Sequence, residues 1–183
     1  RLVQDYANQN NINIWHAGCS SGEEVYTMGV VLRETHLHHK AKDIATDINQ
    51  DAIAEAMKGI YHKMKMTENE SNYREYIIYG DFSKYYTTDE KNAIMDPGLV
   101  SHVNFNYHNI ISDPVLGEFD IIFCRNVMIY FDHTAKQKLM EKFYNALKPG
   151  GYFIIGFYDT MLSLVDDKKF SLVDARSKIF QKR

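Results

Sequence analysis

The sequence has few of the residues that mark several large classes of protein. Its 183 residues include two cysteines and three prolines, and 21 Lys plus Arg nearly balance 24 Asp plus Glu. Two cysteines cannot build a disulfide scaffold, so we expect a cytoplasmic protein. The lack of a basic excess argues against nucleic-acid binding, because neutralising phosphates requires one. No apolar run approaches the ~20 residues that span a bilayer and no signal peptide opens the chain, so we expect no membrane insertion.

The composition is that of a folded domain. Hydrophobic residues make up 45% of the chain and aromatic residues 13%, which is enough for one self-sufficient core in a chain of this length. Arg1 stands where an initiator methionine would be expected. We therefore expect the sequence to be a piece of a longer protein.

Short β-rich runs alternate with amphipathic segments along most of the chain. Strands are predicted at 13–17, 43–46, 103–107, 119–124 and 152–155, helices at about 23–35, 51–58 and 134–147, and a closing hairpin at 170–173 and 178–181. Asn49 and Gly59 are predicted to cap the second helix. The alternation predicts an α/β fold with a doubly wound, mostly parallel, Rossmann-like sheet. Its ligand is then expected beyond the carboxyl ends of the strands.

One segment interrupts this alternation. About forty residues, from Tyr61 to His102, separate the second helix from the third strand, which is longer than an ordinary connection. Within it, Tyr76–Tyr79 and Phe82–Thr87 flank Gly80 and Asp81, a pattern that predicts an inserted antiparallel hairpin. The insertion is either decorative or a surface on which an extended peptide docks at a sheet edge.

The first strand–turn–helix reads AGCSSGEE from Ala17 to Glu24. Small residues let a ligand approach the backbone, as in nucleotide-binding turns. Carboxylates at Glu23 and Glu24 would repel a pyrophosphate at the start of this helix. An ammonium-bearing ligand without phosphate is favoured instead, and S-adenosylmethionine has this chemistry. The alternative is that both glutamates only complement the helix dipole.

Polar residues also follow the later strands. Asp47 follows the second strand, where an acidic residue typically accepts hydrogen bonds from ribose hydroxyls, although it could instead cap a helix. Asn109 follows the third strand and could meet an adenine edge. Arg125 and Asn126 end the fourth strand and could form the wall of such a site. Alternatively, Arg125 makes an ion pair at the surface and Asn126 is a turn residue. Tyr130 lies four residues beyond Asn126, in an aromatic segment that favours a packed ring.

Metal chemistry is not expected. His36, His38 and His39 lie in a polar connection between a helix and a strand, and no cysteine or carboxylate completes a ligand set there. A solvated turn is the favoured interpretation.

Three stretches resemble the chemotaxis receptor methyltransferases of the CheR type: GCSSGEEVY, ATDINQDAIAEAMKGIY and FDIIFCRNVMIYFDHTAKQKLMEKFYNALKPGGYFIIG. The resemblance covers nearly the whole chain and is weakest between residues 61 and 102. It implies transfer of a methyl group from S-adenosylmethionine to glutamate side chains of chemoreceptor signalling helices, which gives glutamyl methyl esters and S-adenosylhomocysteine. It also implies a methyltransferase domain over 1–183 with an inserted β-subdomain at about 74–104, and no counterpart here of the family's N-terminal helical domain. In some members the subdomain binds the C-terminal peptide of a receptor.

The resemblance also implies the site residues. Those expected to contact the cofactor are Glu24, Asp47, Asn109, Ile110, Arg125 and Asn126, with Gly18 beneath it and Tyr130 near the transferred methyl group as the catalytic residue. The family's upstream segment, which supplies an Asn, a Thr and an Arg to the pocket, has no counterpart here. After the fifth strand the family usually has Gly-His-Ser-Glu, whereas this chain has Gly156-Phe157-Tyr158-Asp159, and Val25 replaces a usual proline.

The reaction that the resemblance implies needs no general base, because a glutamate with a pKa of ~4.3 is already an anion at neutral pH. The protein would align the reacting atoms and exclude water. Two alternatives remain open at this point. One is a methyltransferase of the same fold that acts on another acceptor, and the other is an inactive module that binds the cofactor or docks on a receptor.

Overall fold

A computed structural model describes residues 2–159 and 165–183 of the chain. The helices are α1 Leu2–Tyr6, α2 Glu23–Glu34, α3 Gln50–Lys58, α4 Lys65–Tyr76 and α5 His133–Ala146. The strands are β1 Ile12–Ala17, β2 Ala41–Asp47, β3 Ile60–His62, β4 Tyr86–Thr88, β5 Asn92–Met95, β6 Val103–Tyr107, β7 Phe119–Cys124, β8 Leu147–Ile155, β9 Phe170–Asp174 and β10 Ile179–Lys182. Within the described ranges, no helix has both the length and the apolar character needed to cross a membrane.

The main sheet has seven strands in the order β6-β2-β1-β7-β8-β10-β9. Strands β6, β2, β1, β7 and β8 are parallel, and β10 runs antiparallel between β8 and β9. This confirms the predicted Rossmann-like sheet with an antiparallel closing hairpin. The chain builds outward from β1 through β2 to β6 and then returns to β7 on the other side of β1. The carboxyl ends of β1 and β7 therefore flank the point where strand order reverses, which is where such sheets bind ligands.

Each face of the sheet is covered by an apolar layer. On one face, Trp15 packs against Phe119 and against Phe143 of α5, while its Nε1–H donates to Thr46 Oγ1 at 3.0 Å. On the other face, Leu32 of α2 belongs to a second buried cluster. Because both faces are covered, interior strands such as β7 are almost continuously buried, as the apolar run FDIIFC predicted.

The local signals at the helix ends are confirmed. The Asn49 side chain accepts hydrogen bonds from the N–H groups of Asp51 and Ala52, and Gly59 ends α3 with φ of 60°. The boundary after α5 differs from the prediction. Strand β8 begins at Leu147 and includes the Pro149-Gly150-Gly151 segment, which lies between the predicted helix at 134–147 and the predicted strand at 152–155. Leu147 pairs with Phe119, and a register irregularity follows, so the proline is accommodated where the ladder is interrupted.

The long connection contains a separate antiparallel sheet of three strands in the order β3-β5-β4. The inserted β-structure is confirmed, but the hairpin predicted around Gly80 is wrong. Tyr76 ends helix α4, and Phe82–Tyr85 forms a 3-10 turn. The real hairpin joins β4 to β5.

The packing of aromatic rings explains this error. Tyr73, Phe82 and Tyr85 contact one another, and both tyrosine hydroxyls donate to Glu34 Oε1 of α2 at 2.6 Å. A Cβ on Gly80 would lie 2.1 Å from the Tyr73 hydroxyl oxygen. Gly80 therefore serves the close approach of a ring rather than a hairpin turn.

Candidate active site

The turn between β1 and α2 lies at the centre of the carboxyl edge of the sheet. Gly18 and Gly22 have φ of 84° and 91°, which favours glycine at both positions. A Cβ on Gly18 would lie 2.4 Å from Val127 Cγ2 in the segment after β7. The N–H groups of Gly18 and Cys19 both donate to the Thr46 carbonyl oxygen at 2.8 Å. The turn is therefore held between the ends of β2 and β7.

Asp47 fixes this turn to the end of β2. Its Oδ2 accepts a hydrogen bond from the Ser20 N–H at 2.8 Å, and its Oδ1 accepts one from the Asn49 N–H at 2.9 Å. Each carboxylate oxygen has a second lone pair. Asp47 does not cap a helix, since Asn49 caps α3, but it holds the turn in place, and acceptor capacity for a ligand hydroxyl is left.

The two adjacent glutamates of α2 point to different partners. Glu23 accepts from Ser21 Oγ at 2.7 Å and from Lys65 Nζ of the insertion at 2.9 Å. Burial opposes its ionisation, but these two contacts hold the pKa of Glu23 below its usual value. Glu24 faces β7, and its Oε2 accepts from Arg125 Nη1 at 3.3 Å. The ion pair considered for Arg125 therefore exists, and it is made to a predicted site residue.

Sequence reasoning missed His16, which lies beneath Glu24. His16 is fully buried on β1, and its Nδ1 lies 2.8 Å from Glu24 Oε1. Its ring stacks on Phe123 of β7, with centroids 5.0 Å apart. The available signal was a histidine inside the otherwise apolar end of a strand that the sheet buries on both faces.

The ends of β7 and β8 are tied together by Asp159, which sequence reasoning treated only as part of a departure from the family pattern. Asp159 Oδ2 accepts from the N–H groups of Asn126 at 2.7 Å and Gly156 at 2.8 Å. Asn126 has φ of 57°, and its Oδ1 accepts from the Tyr158 N–H at 3.3 Å. A Cβ on Gly156 would lie 2.1 Å from Asn126 Oδ1. The acidic group at the last position of the Gly-Phe-Tyr-Asp segment thus fixes the Asn126 turn.

Asn109 and Ile110 belong to a compact turn after β6. Asn109 Oδ1 accepts from the Ile111 N–H at 2.9 Å, and the Asn109 N–H donates to Asp113 Oδ2 at 2.8 Å. Lys142 Nζ of α5 donates to the carbonyl oxygens of Ile110, Ile111 and Asp113. The Asn109 side chain is thus oriented by its own turn, beside the buried Ile110.

Tyr130 lies in the 3-10 turn Met128–Tyr130 that follows β7. Met128 is fully buried and anchors the turn, whereas the Tyr130 side chain is 79% exposed. The exposed ring excludes the alternative of a packed core aromatic. A phenol at this edge remains available to a ligand or to an acceptor.

One cavity lies away from these residues. A cavity of about 470 Å³ between α2 and α4 is lined by Glu23 but by none of the residues predicted to contact a cofactor. In the described part of the chain, no group of three His, Cys, Asp or Glu side chains is arranged to hold a metal ion.

The strand order therefore brings the predicted residues to one edge of the sheet. The residues collected there follow β1, β2, β6 and β7, and they are Gly18, Glu24, Asp47, Asn109, Ile110, Arg125, Asn126 and Tyr130. Their chemistry fits S-adenosylmethionine, because a carboxylate is available for an ammonium group and a second one for hydroxyls. Two carboxylates beside the start of α2 would repel the pyrophosphate of a dinucleotide.

Comparison with known proteins is consistent with this fit. The family model described as "CheR methyltransferase, SAM binding domain" matches residues 1–179. A Pseudomonas putida methyltransferase, Cher3, is 37% identical over 172 residues, which cover 94% of this chain and 63% of that protein. A chemotaxis protein methyltransferase of Borreliella burgdorferi is 36% identical, over 88% of this chain and 57% of that protein. One of Vibrio anguillarum is 34% identical, over 99% and 65%. The chain spans about three fifths of the length of these relatives.

Solved structures share the fold at low sequence identity. The N-methyltransferase NodS from Bradyrhizobium japonicum, in complex with S-adenosylhomocysteine, has a TM-score of 0.56 at 13% identity and covers 99% of this chain and 83% of its own. The magnesium protoporphyrin IX methyltransferase of Synechocystis, with bound S-adenosylmethionine, has a TM-score of 0.53 at 14% identity over 98% and 71%. At these identities the likeness supports the fold alone.

Proposed function

The chain belongs to the CheR methyltransferase family through its SAM-binding domain, and on this premise we propose that it binds S-adenosylmethionine and methylates glutamate side chains of chemoreceptor signalling helices in the cytoplasm. The observation that carries the proposal is the Glu24 carboxylate, held by His16 and Arg125 at the start of α2. An anion at this position opposes a phosphate ligand and favours the α-ammonium group of an amino-acid-bearing cofactor.

Each cofactor group has a partner in this proposal. Glu24 receives the α-ammonium group, and Asp47 accepts hydrogen bonds from the ribose hydroxyls with the lone pairs that Ser20 and Asn49 leave free. Ile110 and the Asn109 side chain would hold the adenine. Arg125, Asn126 and Gly18 complete the wall and the floor of the site.

The chemistry requires little of the protein beyond positioning. S-adenosylmethionine supplies the methyl group, which passes to the acceptor carboxylate oxygen as the carbon–sulfur bond breaks and its electron pair remains on sulfur. The acceptor glutamate is ionised at neutral pH, so no side chain has to remove a proton. Tyr130, exposed at the edge, screens the methyl group from water and donates a hydrogen bond that orients the acceptor.

The domain organisation follows the same proposal. In this proposal residues 1–183 form the methyltransferase domain and about 74–104 the inserted β-subdomain. The small sheet of the insertion also includes β3, Ile60–His62, which precedes that range. Strand β4 lies at an edge of that sheet, and Thr87 and Thr88 are exposed. An edge of this kind can pair with an extended receptor peptide.

Two measurements test the proposal. Calorimetric titration should show binding of S-adenosylmethionine and S-adenosylhomocysteine, and comparable affinity for a nicotinamide dinucleotide would refute it. Transfer of a radiolabelled methyl group to receptor-containing membranes should be measured for this chain and for a form extended upstream. Label on receptor glutamates supports the full proposal, label on another protein changes the acceptor, and binding without turnover in the extended form indicates an inactive module.

A further inference from the structure

Four titratable side chains form a continuous row beneath the candidate site. In order of contact they are Glu24 of α2, His16 of β1, Asp43 of β2 and His102 before β6. His16 Nδ1 lies 2.8 Å from Glu24 Oε1, and His16 Nε2 lies 3.6 Å from Asp43 Oδ2. His102 Nε2 approaches the same Asp43 oxygen at 3.3 Å. We call these four residues the buried row.

Strand register dictates this arrangement. Ile14 of β1 pairs with Asp43 and His16 pairs with Ala45, so His16 and Asp43 are diagonal neighbours on the same face of the sheet. On the other side His16 pairs directly with Phe123 of β7, which explains the stacked rings. Glu24 reaches the remaining ring nitrogen from α2, which covers this face.

The imidazole is surrounded by groups that favour its charged form. The His16 side chain is fully buried, and Asp43 is 2% exposed. Burial lowers the pKa of His16, but the contacts with Asp43 and Glu24 outweigh burial and raise it to about 9. On the β7 side the ring faces Phe123, which is uncharged. The raised pKa favours the imidazolium form, in which the Nδ1–H donates to Glu24.

The two contacts of Glu24 are not equivalent. The Arg125 side chain is 44% exposed and lies at 3.3 Å, whereas the His16 side chain has no exposed surface and lies at 2.8 Å. An exposed ion pair on a long side chain is weak and easily rearranged. The buried ring is stacked on Phe123 within the sheet, so it is the shorter and the more rigid of the two contacts of the Glu24 carboxylate.

We propose that His16 is a positioning residue that holds the Glu24 carboxylate in the orientation in which it receives the α-ammonium group of the cofactor. This inference rests on the proposed function, since it assigns that ammonium group to Glu24. It predicts that His16 acts on the amino-acid end of the cofactor and leaves the nucleoside end unaffected.

Two ligands separate these ends. S-adenosylhomocysteine has the amino-acid part, whereas 5′-methylthioadenosine keeps the adenosine and the thioether without it. His16→Phe keeps a ring against Phe123 but cannot donate to Glu24, and His16→Asn restores a neutral donor. His102→Gln changes the far end of the buried row without touching Glu24 and serves as the matched control.

Calorimetric titration of the His16 variants should show a loss of affinity for S-adenosylhomocysteine and not for 5′-methylthioadenosine. We expect His16→Phe to weaken the affinity for S-adenosylhomocysteine roughly ten- to a hundredfold, which is the range of a charge-assisted hydrogen bond. The affinity for 5′-methylthioadenosine should stay within about twofold of the parent. His16→Asn should recover part of the loss, and His102→Gln should not change the ratio of the two affinities. Glu24→Gln should remove most of the preference for S-adenosylhomocysteine, and adding His16→Phe to it should cost little more.

The outcomes separate the two hypotheses. Equal losses for both ligands in a folded His16→Phe variant, or unchanged affinity for both, would overturn the positioning role. A parent protein that binds neither ligand would instead refute the proposed function. If His16→Phe does not fold, His16→Asn and the Glu24→Gln cycle carry the same test, with circular dichroism as the check on folding.

Discussion

Replacing Asp159 by alanine removes the contact that joins the ends of β7 and β8. Its Oδ2 is the acceptor for the N–H groups of both Gly156 and Asn126, and Asp159 itself is fully buried. Among the described residues, its Oδ1 has no hydrogen-bond partner. Within the described part of the chain, this carboxylate therefore bonds through Oδ2 alone.

The cost of the substitution can be worked out from these two bonds. The Gly156 N–H is buried, so leaving it without an acceptor costs about 1–3 kcal/mol. The Asn126 N–H is only partly buried and can be hydrated, which limits its loss to about 1 kcal/mol. The free energy of unfolding should therefore fall by about 2–4 kcal/mol. With a urea m-value of about 2 kcal/mol/M, the midpoint of unfolding should move down by about 1–2 M.

Urea unfolding followed by circular dichroism measures this shift, and Asp159→Asn is the matched control. Asparagine keeps an oxygen that accepts both bonds, so its unfolding free energy should stay within about 1 kcal/mol of the parent. Asp159→Ala should also weaken S-adenosylhomocysteine binding, because Asn126 is no longer held in its left-handed conformation. A parental midpoint for Asp159→Ala, or an equal fall for Asp159→Asn, would refute the reasoning.

Four further predictions address the site. Asp47→Ala should weaken the binding of S-adenosylhomocysteine by roughly 1–3 kcal/mol in a calorimetric titration. An affinity equal to that of the parent would make Asp47 a purely structural residue. Gly18→Ala should lower the melting temperature, because its φ of 84° and the 2.4 Å approach of Val127 both oppose a side chain. Adding Val127→Ala should recover only the part of the lost melting temperature that is due to the clash with Val127. If nothing is recovered, the clash does not contribute to the loss. His16, whose pKa is raised from 6.5 to about 9, should stabilise the fold fully below about pH 6.5 and lose this contribution as the pH rises through 9. The difference in unfolding free energy between the parent and His16→Phe should therefore shrink by about 3 kcal/mol from pH 6.5 to 9.5, and a pH-independent difference would exclude a charged ring. Tyr130→Phe in the upstream-extended protein should lower the single-turnover rate while leaving cofactor affinity unchanged, and an unchanged rate would remove Tyr130 from the reaction.

Sequence periodicity predicts the main sheet and the edge at which the candidate site residues collect. Strand and helix periodicity are local properties, so the strands Val103–Tyr107 and Phe119–Cys124 were predicted at their exact bounds. The caps Asn49 and Gly59 were equally readable, because capping joins a side chain or a glycine to the backbone within a few residues. Parallel strand order then implied that Asp47 and Arg125 would lie along one edge.

Contacts between residues that are distant in the sequence could be read only from the folded structure. The insertion was misread because Tyr73, Phe82 and Tyr85 pack around Glu34 of another helix, which no local pattern reveals. The roles of His16 and Asp159 could not be predicted either, since their partners lie on other strands, helices or strand ends.

The physical reason is the cost of burial. A buried histidine or aspartate is tolerated only where strand register and helix packing supply its partners. His16 finds Asp43 through the register of β1 and β2 and finds Glu24 through α2. Asp159 finds two backbone N–H groups at the ends of β7 and β8. These partners are fixed only when the sheet has formed, whereas the glycines and glutamates of the first turn carry their signal in consecutive residues.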